Sequence, residues 1–124
     1  MKVLITSNSF GKFDEAPRKR MLDLGWELLD NRYHHIMSEE EMMNEVPGVD
    51  AIILGSDIVS KRVLDKADKL KIISRYGVGI DNIDTVEAEK RGIAVTVTKN
   101  CNTEAVADYT NALMLATLRQ VCNV

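Results

Sequence analysis

The sequence predicts a flavodoxin-like α/β fold, in which a doubly wound sheet has five parallel strands in the order 2-1-3-4-5 and a long helix follows at the C-terminal end. Short apolar runs alternate with amphipathic stretches along the 124 residues, which is typical of βαβ units with right-handed crossovers. The run Ala51–Leu54 is apolar at every position, as expected of a strand buried on both faces of a parallel sheet. The length is that of one ordinary domain.

Strands are predicted where short apolar runs stand between polar or glycine-containing turns. Such runs lie at 3–5, 26–29, 51–54, 70–74 and 93–97. Helices are predicted in the amphipathic stretches that follow each run, at 14–24, 39–45, 61–68, 85–91 and 103–120. Ser38 and Glu41 have the spacing of a capping box, which marks the start of the second helix.

The last predicted helix begins after Asn102 or Thr103, runs to about Gln120 and is apolar over most of its circumference. Its apolar residues are Ala105, Val106, Tyr109, Ala112, Leu113, Met114, Leu115, Ala116 and Leu118. A helix with so wide an apolar surface is normally buried on most sides. We therefore expect a partner chain or further sequence to cover it.

Composition and charge exclude several classes of protein. The net charge is −3, and the basic cluster at 18–20 has no basic or aromatic continuation, so we interpret it as a solvated helix face and expect no nucleic-acid partner. No apolar run reaches membrane-spanning length, and the N-terminal run is too short for a signal peptide. Cys101 and Cys122 have neither CxxC nor metal-ligand spacing. We expect a reduced, cytoplasmic protein without a membrane partner or a metal site.

The segment 75–84, which reads RYGVGIDNID, joins the fourth predicted strand to a helix. In open α/β sheets, ligands bind beyond the carboxyl ends of the strands. Gly77 and Gly79 permit backbone angles that other residues avoid, so the amides of Val78 and Gly79 can form a small anion-binding nest. A carboxylate suits such a nest, and Arg75 would offset its charge. The spacing lacks the third glycine of a dinucleotide fingerprint, and a turn without any ligand is the alternative interpretation.

The segment 70–119 resembles the D-isomer-specific 2-hydroxyacid dehydrogenases, and among them the phosphoglycerate dehydrogenase-like members. The resemblance rests on the succession RYGVGIDNID, RGIAVT and NTEAVAD between the predicted strands and helices. Residues 1–69 fit the family only in pattern. The resemblance implies an enzyme of two lobes, of which this sequence is a truncated part. Residues 1–100 would be the substrate-binding lobe, and 101–124 the hinge and first helix of a missing NAD-binding lobe.

The resemblance also implies roles for individual residues. The segment 75–84, called the glycine loop from here on, would hold the carboxylate of a D-2-hydroxy acid, either 3-phosphoglycerate or a related acid. The residues implied to bind this substrate are Arg75, Tyr76, Gly77, Val78 and Gly79. Val78 and Val106 would lie close to the nicotinamide of NAD or NADP in the full-length enzyme. The helix at 103–120 would contribute to a homodimer interface.

Two departures from the family pattern limit these expectations. Phosphoglycerate-specific members often carry an arginine near the end of the third strand, where this chain has Leu54 and Gly55. The family's dinucleotide loop and its catalytic arginine, acid and histidine lie downstream, so no catalytic residue is assigned within the chain. His34 and His35 are expected to be surface residues far from the glycine loop. We expect the chain by itself to be catalytically inert and to hold no cofactor.

A phosphoacceptor receiver domain is the main alternative, because it shares this fold and length. Asp57 follows the third strand, and Lys99 follows the fifth. A receiver binds Mg²⁺ through an acidic pair after the first strand, where this chain has no acid. A flavin carrier is a second alternative, suggested by the hydroxyl-rich turn after the first strand. A lobe that serves only in binding or dimerisation is the third.

Overall fold

The five predicted strands form one parallel sheet in a computed structural model of the chain, which describes residues 1–121. The strands are β1 (Lys2–Ile5), β2 (Glu27–Asp30), β3 (Ala51–Leu54), β4 (Ile72–Arg75) and β5 (Ala94–Val97). The helices are α1 (Ala16–Asp23), α2 (Glu39–Glu45), α3 (Lys61–Lys66), α4 (Thr85–Lys90) and α5 (Thr103–Leu118). The sheet has the predicted order β2-β1-β3-β4-β5. Cys122 and the end of the predicted hinge segment lie outside the described residues.

The strand order decides on which face of the sheet each helix lies. The chain moves from β1 outward to β2 and then returns past β1 to β3, β4 and β5. Because crossovers between parallel strands are right-handed, this reversal places α1 on one face and α2, α3 and α4 on the other. The reversal also leaves a crevice between the carboxyl ends of β1 and β3, where doubly wound sheets bind their ligands.

The larger hydrophobic core lies between the sheet and the three helices α2, α3 and α4. Leu4, Ile52 and Ile73 from the central strands pack with Met42 of α2 and Leu64 of α3, and all five side chains are fully buried. A smaller cluster lies on the α1 face and consists of Val3, Ile5 and Ala51, with Trp26 and Leu28 packed against it. The central strands are thus fixed from both sides, and their carboxyl-end loops extend from a rigid frame.

The capping box predicted for α2 is confirmed. The hydroxyl of Ser38 accepts a hydrogen bond from the Glu41 amide at 3.3 Å, and the Glu41 carboxylate accepts one from the Ser38 amide at 2.8 Å. The first helix is shorter than predicted and begins at Ala16. The Asp14 carboxylate accepts a hydrogen bond from the Ala16 amide at 2.9 Å, so Asp14 lies before the helix.

Helix α5 has no buried residue. Its exposed apolar side chains include Val106, Tyr109, Leu113, Met114, Leu115 and Leu118. The prediction that something outside this lobe covers the helix therefore remains a prediction. Within residues 1–121, no helix is both long and apolar enough to cross a membrane.

Asp50 joins the amino ends of three strands immediately before β3. Its carboxylate accepts a hydrogen bond from the Lys2 amide at 2.8 Å, and Lys71 Nζ lies 3.6 Å from its other oxygen. The hydrogen bond from the Lys2 amide holds the pKa of Asp50 below its ordinary value of 3.8, and the charge of Lys71 lowers it further. The ionised form of Asp50 is therefore the one that stabilises the fold.

This shift predicts how the stability of an Asp50→Asn variant depends on pH. Because the pKa is lower in the folded chain, the carboxylate contributes its full stabilisation above pH 3.8 and loses it as the pH falls through the folded value. We expect Asp50→Asn to melt below the natural chain at pH 7, with the difference shrinking in acid. Thermal melts monitored by circular dichroism from neutral pH to about pH 3 measure this. A difference that stays constant or grows in acid would contradict the assignment.

Candidate functional site

A cleft of about 440 Å³ lies at the carboxyl edge of the sheet. The loops after four neighbouring strands line it, with residues 6–9 and Lys12 after β1, 35–36 after β2, 55–57 after β3, and 75–76 after β4. The cleft is centred on the crevice between β1 and β3, where the strand order reverses. Its volume is that of a small-molecule site.

The side chain of Arg75, at the end of β4, donates hydrogen bonds to backbone carbonyls of the glycine loop. Its Nε donates a hydrogen bond to the Gly79 carbonyl at 3.0 Å, and Nη1 donates to the Tyr76 carbonyl at 2.8 Å. Nη1 also lies 3.4 Å from the Leu54 carbonyl at the end of β3. The guanidinium was predicted to offset the charge of a ligand. Its geometry adds a second role, because it fixes the carbonyl groups of the loop that would surround that ligand.

The two glycines of the loop are present for different reasons. Gly77 has a φ of 154°, which residues with a side chain rarely adopt, and a Cβ added there would lie 2.8 Å from Nη1 of Arg75, so the guanidinium would have to shift. Gly79 has no positive φ, and the nearest atom to an added Cβ is an Asp81 carboxylate oxygen at 3.7 Å. Nothing in the described part of the lobe requires a glycine at position 79. Its missing side chain leaves the approach to the neighbouring amides open.

The amides of Val78 and Gly79 are available to a ligand. Neither donates a hydrogen bond to any residue of the described part of the chain. Both residues are exposed, and Val78 retains 48% of its accessible surface. Backbone donors on an exposed loop at the carboxyl end of a strand can bind a carboxylate or another small anion.

The glycine loop contacts the loops after β1, β3 and β5. The ring of Tyr76 packs edge-on against Phe10 of the loop after β1, with centroids 5.7 Å apart. The Thr98 amide after β5 donates to the Gly77 carbonyl at 3.0 Å. The side-chain amide of Asn82 donates to the Asp57 carbonyl of the loop after β3 at 2.6 Å. The sequence did not predict these contacts, because each joins residues that lie far apart in the chain.

His35 corrects one prediction from the sequence. Both histidines are exposed as expected, but His35 lines the same cleft as Arg75 and is not remote from the glycine loop. Its Nε2 lies 3.1 Å from the Glu41 carboxylate. The Ser38 amide lowers the pKa of Glu41 below its ordinary range, and His35 lowers it further. The imidazole is thus held at the rim of the cleft by an ionised partner.

The receiver alternative finds no support in the structure. Asp57 is only 1% exposed, and one of its oxygens accepts a hydrogen bond from the Met37 amide at 2.7 Å. Residues 1–121 contain no cluster of three or more histidine, cysteine or acidic side chains that would hold a metal ion. An acid without acidic neighbours does not supply the oxygen ligands that Mg²⁺ requires.

Val106, predicted to lie near a nicotinamide, stands on the first turn of α5 and is 54% exposed. Val78 is exposed on the glycine loop. Both are apolar side chains that a flat aromatic ring could contact. Their shared role with a cofactor stays a prediction.

Fold and site together define the class of protein. It is an open α/β lobe with a cleft at the point where the strand order reverses. Residues 4–124 match the family described as "D-isomer specific 2-hydroxyacid dehydrogenase, catalytic domain". The chain belongs to this family, which confirms the resemblance found in the segment 70–119.

Two curated relatives illustrate the similarity. The glyoxylate reductase of Thermococcus litoralis is 49% identical over 81 residues, which are 64% of this chain and 24% of that protein. The D-3-phosphoglycerate dehydrogenase of Archaeoglobus fulgidus is 45% identical over 86 residues, which are 68% of this chain and 16% of that protein. The matched regions thus span a quarter or less of these relatives.

Two solved structures share the fold. The TT0316 protein of Thermus thermophilus is 36% identical, with a TM-score of 0.89 over 99% of this chain and 38% of that one. The NAD⁺-bound 3-phosphoglycerate dehydrogenase of Entamoeba histolytica is 24% identical, with a TM-score of 0.81 over 94% of this chain and 38% of that one. The lobe architecture is therefore that of the dehydrogenase family.

Proposed function

We propose that the chain is the substrate-binding lobe of an NAD-dependent D-2-hydroxyacid dehydrogenase, and that the amides of Val78 and Gly79 bind the substrate carboxylate. The observation that carries this proposal is the availability of these two donors on an exposed loop beside the cleft. Family membership gives the reaction class, and the names of the two curated relatives are consistent with a small 2-oxo or 2-hydroxy acid.

The lobe would bind and orient the substrate. A carboxylate bound by these two backbone amides would make charge-assisted hydrogen bonds, which are stronger than those between neutral groups. Arg75 lines the cleft and adds a positive charge without itself leaving the loop. Tyr76, 44% exposed and packed on Phe10, would form the wall beside the substrate. These contacts fix the acid at one end, so that its second carbon has a defined position.

NAD, or its phosphorylated form, would accept a hydride from the second carbon of the substrate when bound. The chain's own residues would contribute little to holding it. Val78 and Val106 are exposed apolar side chains that fit the face of a nicotinamide ring, and the remainder of the cofactor site would lie in a second lobe. In this proposal residues 1–100 are the substrate lobe, and 101–124 begin the crossing to the cofactor lobe. The chain alone would bind but not catalyse.

A second copy of the chain is the proposed partner of α5. Residues Val106, Tyr109 and Leu113 lie at helical spacing on one side, and all three are at least half exposed. An exposed apolar surface of this kind marks an interaction site. We propose a homodimer formed through the segment 103–120.

The carboxylate site is tested by titrating the isotope-labelled chain with D-lactate and following the backbone amides by NMR. We expect the amide signals of Val78 and Gly79 to shift most. D-lactamide, a neutral analogue of the same shape, is the control, and it should bind at least about tenfold more weakly because it lacks the charge. Equal affinities for the two ligands, or shifts confined to other residues, would contradict the proposal.

A further inference from the structure

Asp57 is a buried acid on the floor of the cleft, and the carboxylate role proposed for the glycine loop does not use it. The residue is 1% exposed and lines the cleft. Its Oδ1 accepts a hydrogen bond from the Met37 amide at 2.7 Å. No residue of the described chain donates to its Oδ2. This second oxygen lies over Gly55, where an added Cβ would be 3.2 Å from it.

The second oxygen of Asp57 remains in contact with the cleft. Among residues 1–121, every side-chain nitrogen or oxygen atom that is closed off from solvent has a hydrogen-bond partner. Because Oδ2 of Asp57 has no such partner, it is open to the cleft that Asp57 lines. An ionised carboxylate can only accept hydrogen bonds. The ligand group that fits this position is therefore a donor such as a hydroxyl. A phosphate placed there would be repelled.

The cations around the cleft do not reverse this preference. Lys12 and the imidazole of His35 stand at the rim and are exposed to water, which screens the charge of Lys12. His35 is moreover held by Glu41 at 3.1 Å. Arg75 directs its Nε and Nη1 to backbone carbonyls. Asp57 is the charge that lies deepest, and its field is screened least.

We propose that Asp57 is a specificity-determining residue, whose Oδ2 accepts a hydrogen bond from a neutral hydroxyl on the third carbon of the substrate. The preferred substrate class is thus a 2-hydroxy acid with a hydroxylated, unphosphorylated third carbon. This inference rests on the proposed function, because the glycine loop must hold the carboxylate at the other end. Arg75 and Tyr76 of the same loop line the cleft together with Asp57, so a carboxylate held by that loop would lie at the edge of this cleft.

The test compares three acids that differ only at the third carbon, namely D-glycerate, D-lactate and D-3-phosphoglycerate. Each is titrated into the isotope-labelled chain and followed by NMR. We expect D-glycerate to bind about threefold to tenfold more tightly than D-lactate, since a hydroxyl donates to a charged acceptor. D-glycerate should also shift the amides of Ser56 and Asp57. D-3-phosphoglycerate should bind most weakly of the three.

An Asp57→Asn variant separates recognition from structure. The asparagine oxygen can still accept the Met37 hydrogen bond, while its NH₂ group would replace the acceptor that faces the cleft. We expect the preference for D-glycerate over D-lactate to fall to about one and the binding of D-3-phosphoglycerate to improve. The Met37 amide signal reports whether the loop is intact, and Asp23→Asn on the exposed side of α1 is the matched control.

The outcomes distinguish this inference from the function on which it rests. If all three acids shift Val78 and Gly79 but D-glycerate and D-lactate bind equally, the role of Asp57 is overturned and the carboxylate site stands. If none of them shifts Val78 and Gly79, both proposals fail. Should Asp57→Asn not fold, the affinity ratio of the natural chain decides the question alone.

Discussion

An Arg75→Met chain is expected to bind D-lactate at least about tenfold more weakly than the natural chain, because the loop that presents the amides loses its internal fastening. In the natural chain, Arg75 donates to the carbonyls of Gly79 and Tyr76 at 3.0 and 2.8 Å. These bonds fix the peptide groups on either side of Val78 and Gly79, whose own amides donate to no residue of the described chain. Methionine keeps much of the length of the side chain but has no donor.

An Arg75→Lys variant shows whether charge or geometry matters. Lysine keeps the positive charge but cannot donate two bonds in the planar directions of a guanidinium, so we expect it to restore less than half of the lost affinity. NMR titration with D-lactate measures both variants, and Arg20→Met on α1 is the control for a general effect of losing an arginine. Full restoration by lysine would show that Arg75 acts only through its charge.

The fold could be predicted because its signals are local. The bounds of Ala51–Leu54 agree with the prediction, since four apolar residues between Asp50 and Gly55 are typical of a short buried strand. The capping box was equally predictable, because Ser38 and Glu41 bond each other across a single helical turn. The predicted strand order rested on five strands alternating with helices, a pattern typical of the flavodoxin-like doubly wound sheet, and it needed no knowledge of individual contacts.

The site was predictable only where one segment of chain decides it. The glycine loop follows a strand, so its position at the carboxyl edge could be read from the sequence. The side of the cleft opposite the glycine loop depends on contacts between residues far apart in the sequence. Asp57 accepts the Met37 amide, which ties the loop after β2 to the loop after β3 and brings His35 over β1 into the cleft. A contact between residues 20 apart in sequence leaves no periodic signal.

The same reasoning explains why the hydrogen bonds of Arg75 within the loop could not be predicted from the sequence. Its place directly after the fourth predicted strand was clear from the sequence, and so was its charge, while the structure includes Arg75 as the last residue of β4. The direction of its guanidinium was not, because the Gly79 and Tyr76 carbonyls become acceptors only once Gly77 has turned the chain to a φ of 154°. The backbone angle of Gly77, and not the charge of Arg75, decides which carbonyl groups accept hydrogen bonds from the guanidinium.

Replacing Leu113 with glutamate is expected to weaken self-association of the chain by about a hundredfold or more, because the new charge would be buried without a partner at the proposed interface. Leu113 is 50% exposed in the single chain and lies on the same side of α5 as Val106 and Tyr109. Asn111→Glu introduces the same charge at a polar position on the side of the helix away from Leu113 and should leave association unchanged. Sedimentation equilibrium over a range of concentrations measures both variants beside the natural chain. A natural chain that is monomeric throughout, or two variants that behave alike, would show that α5 is covered by something other than a second copy.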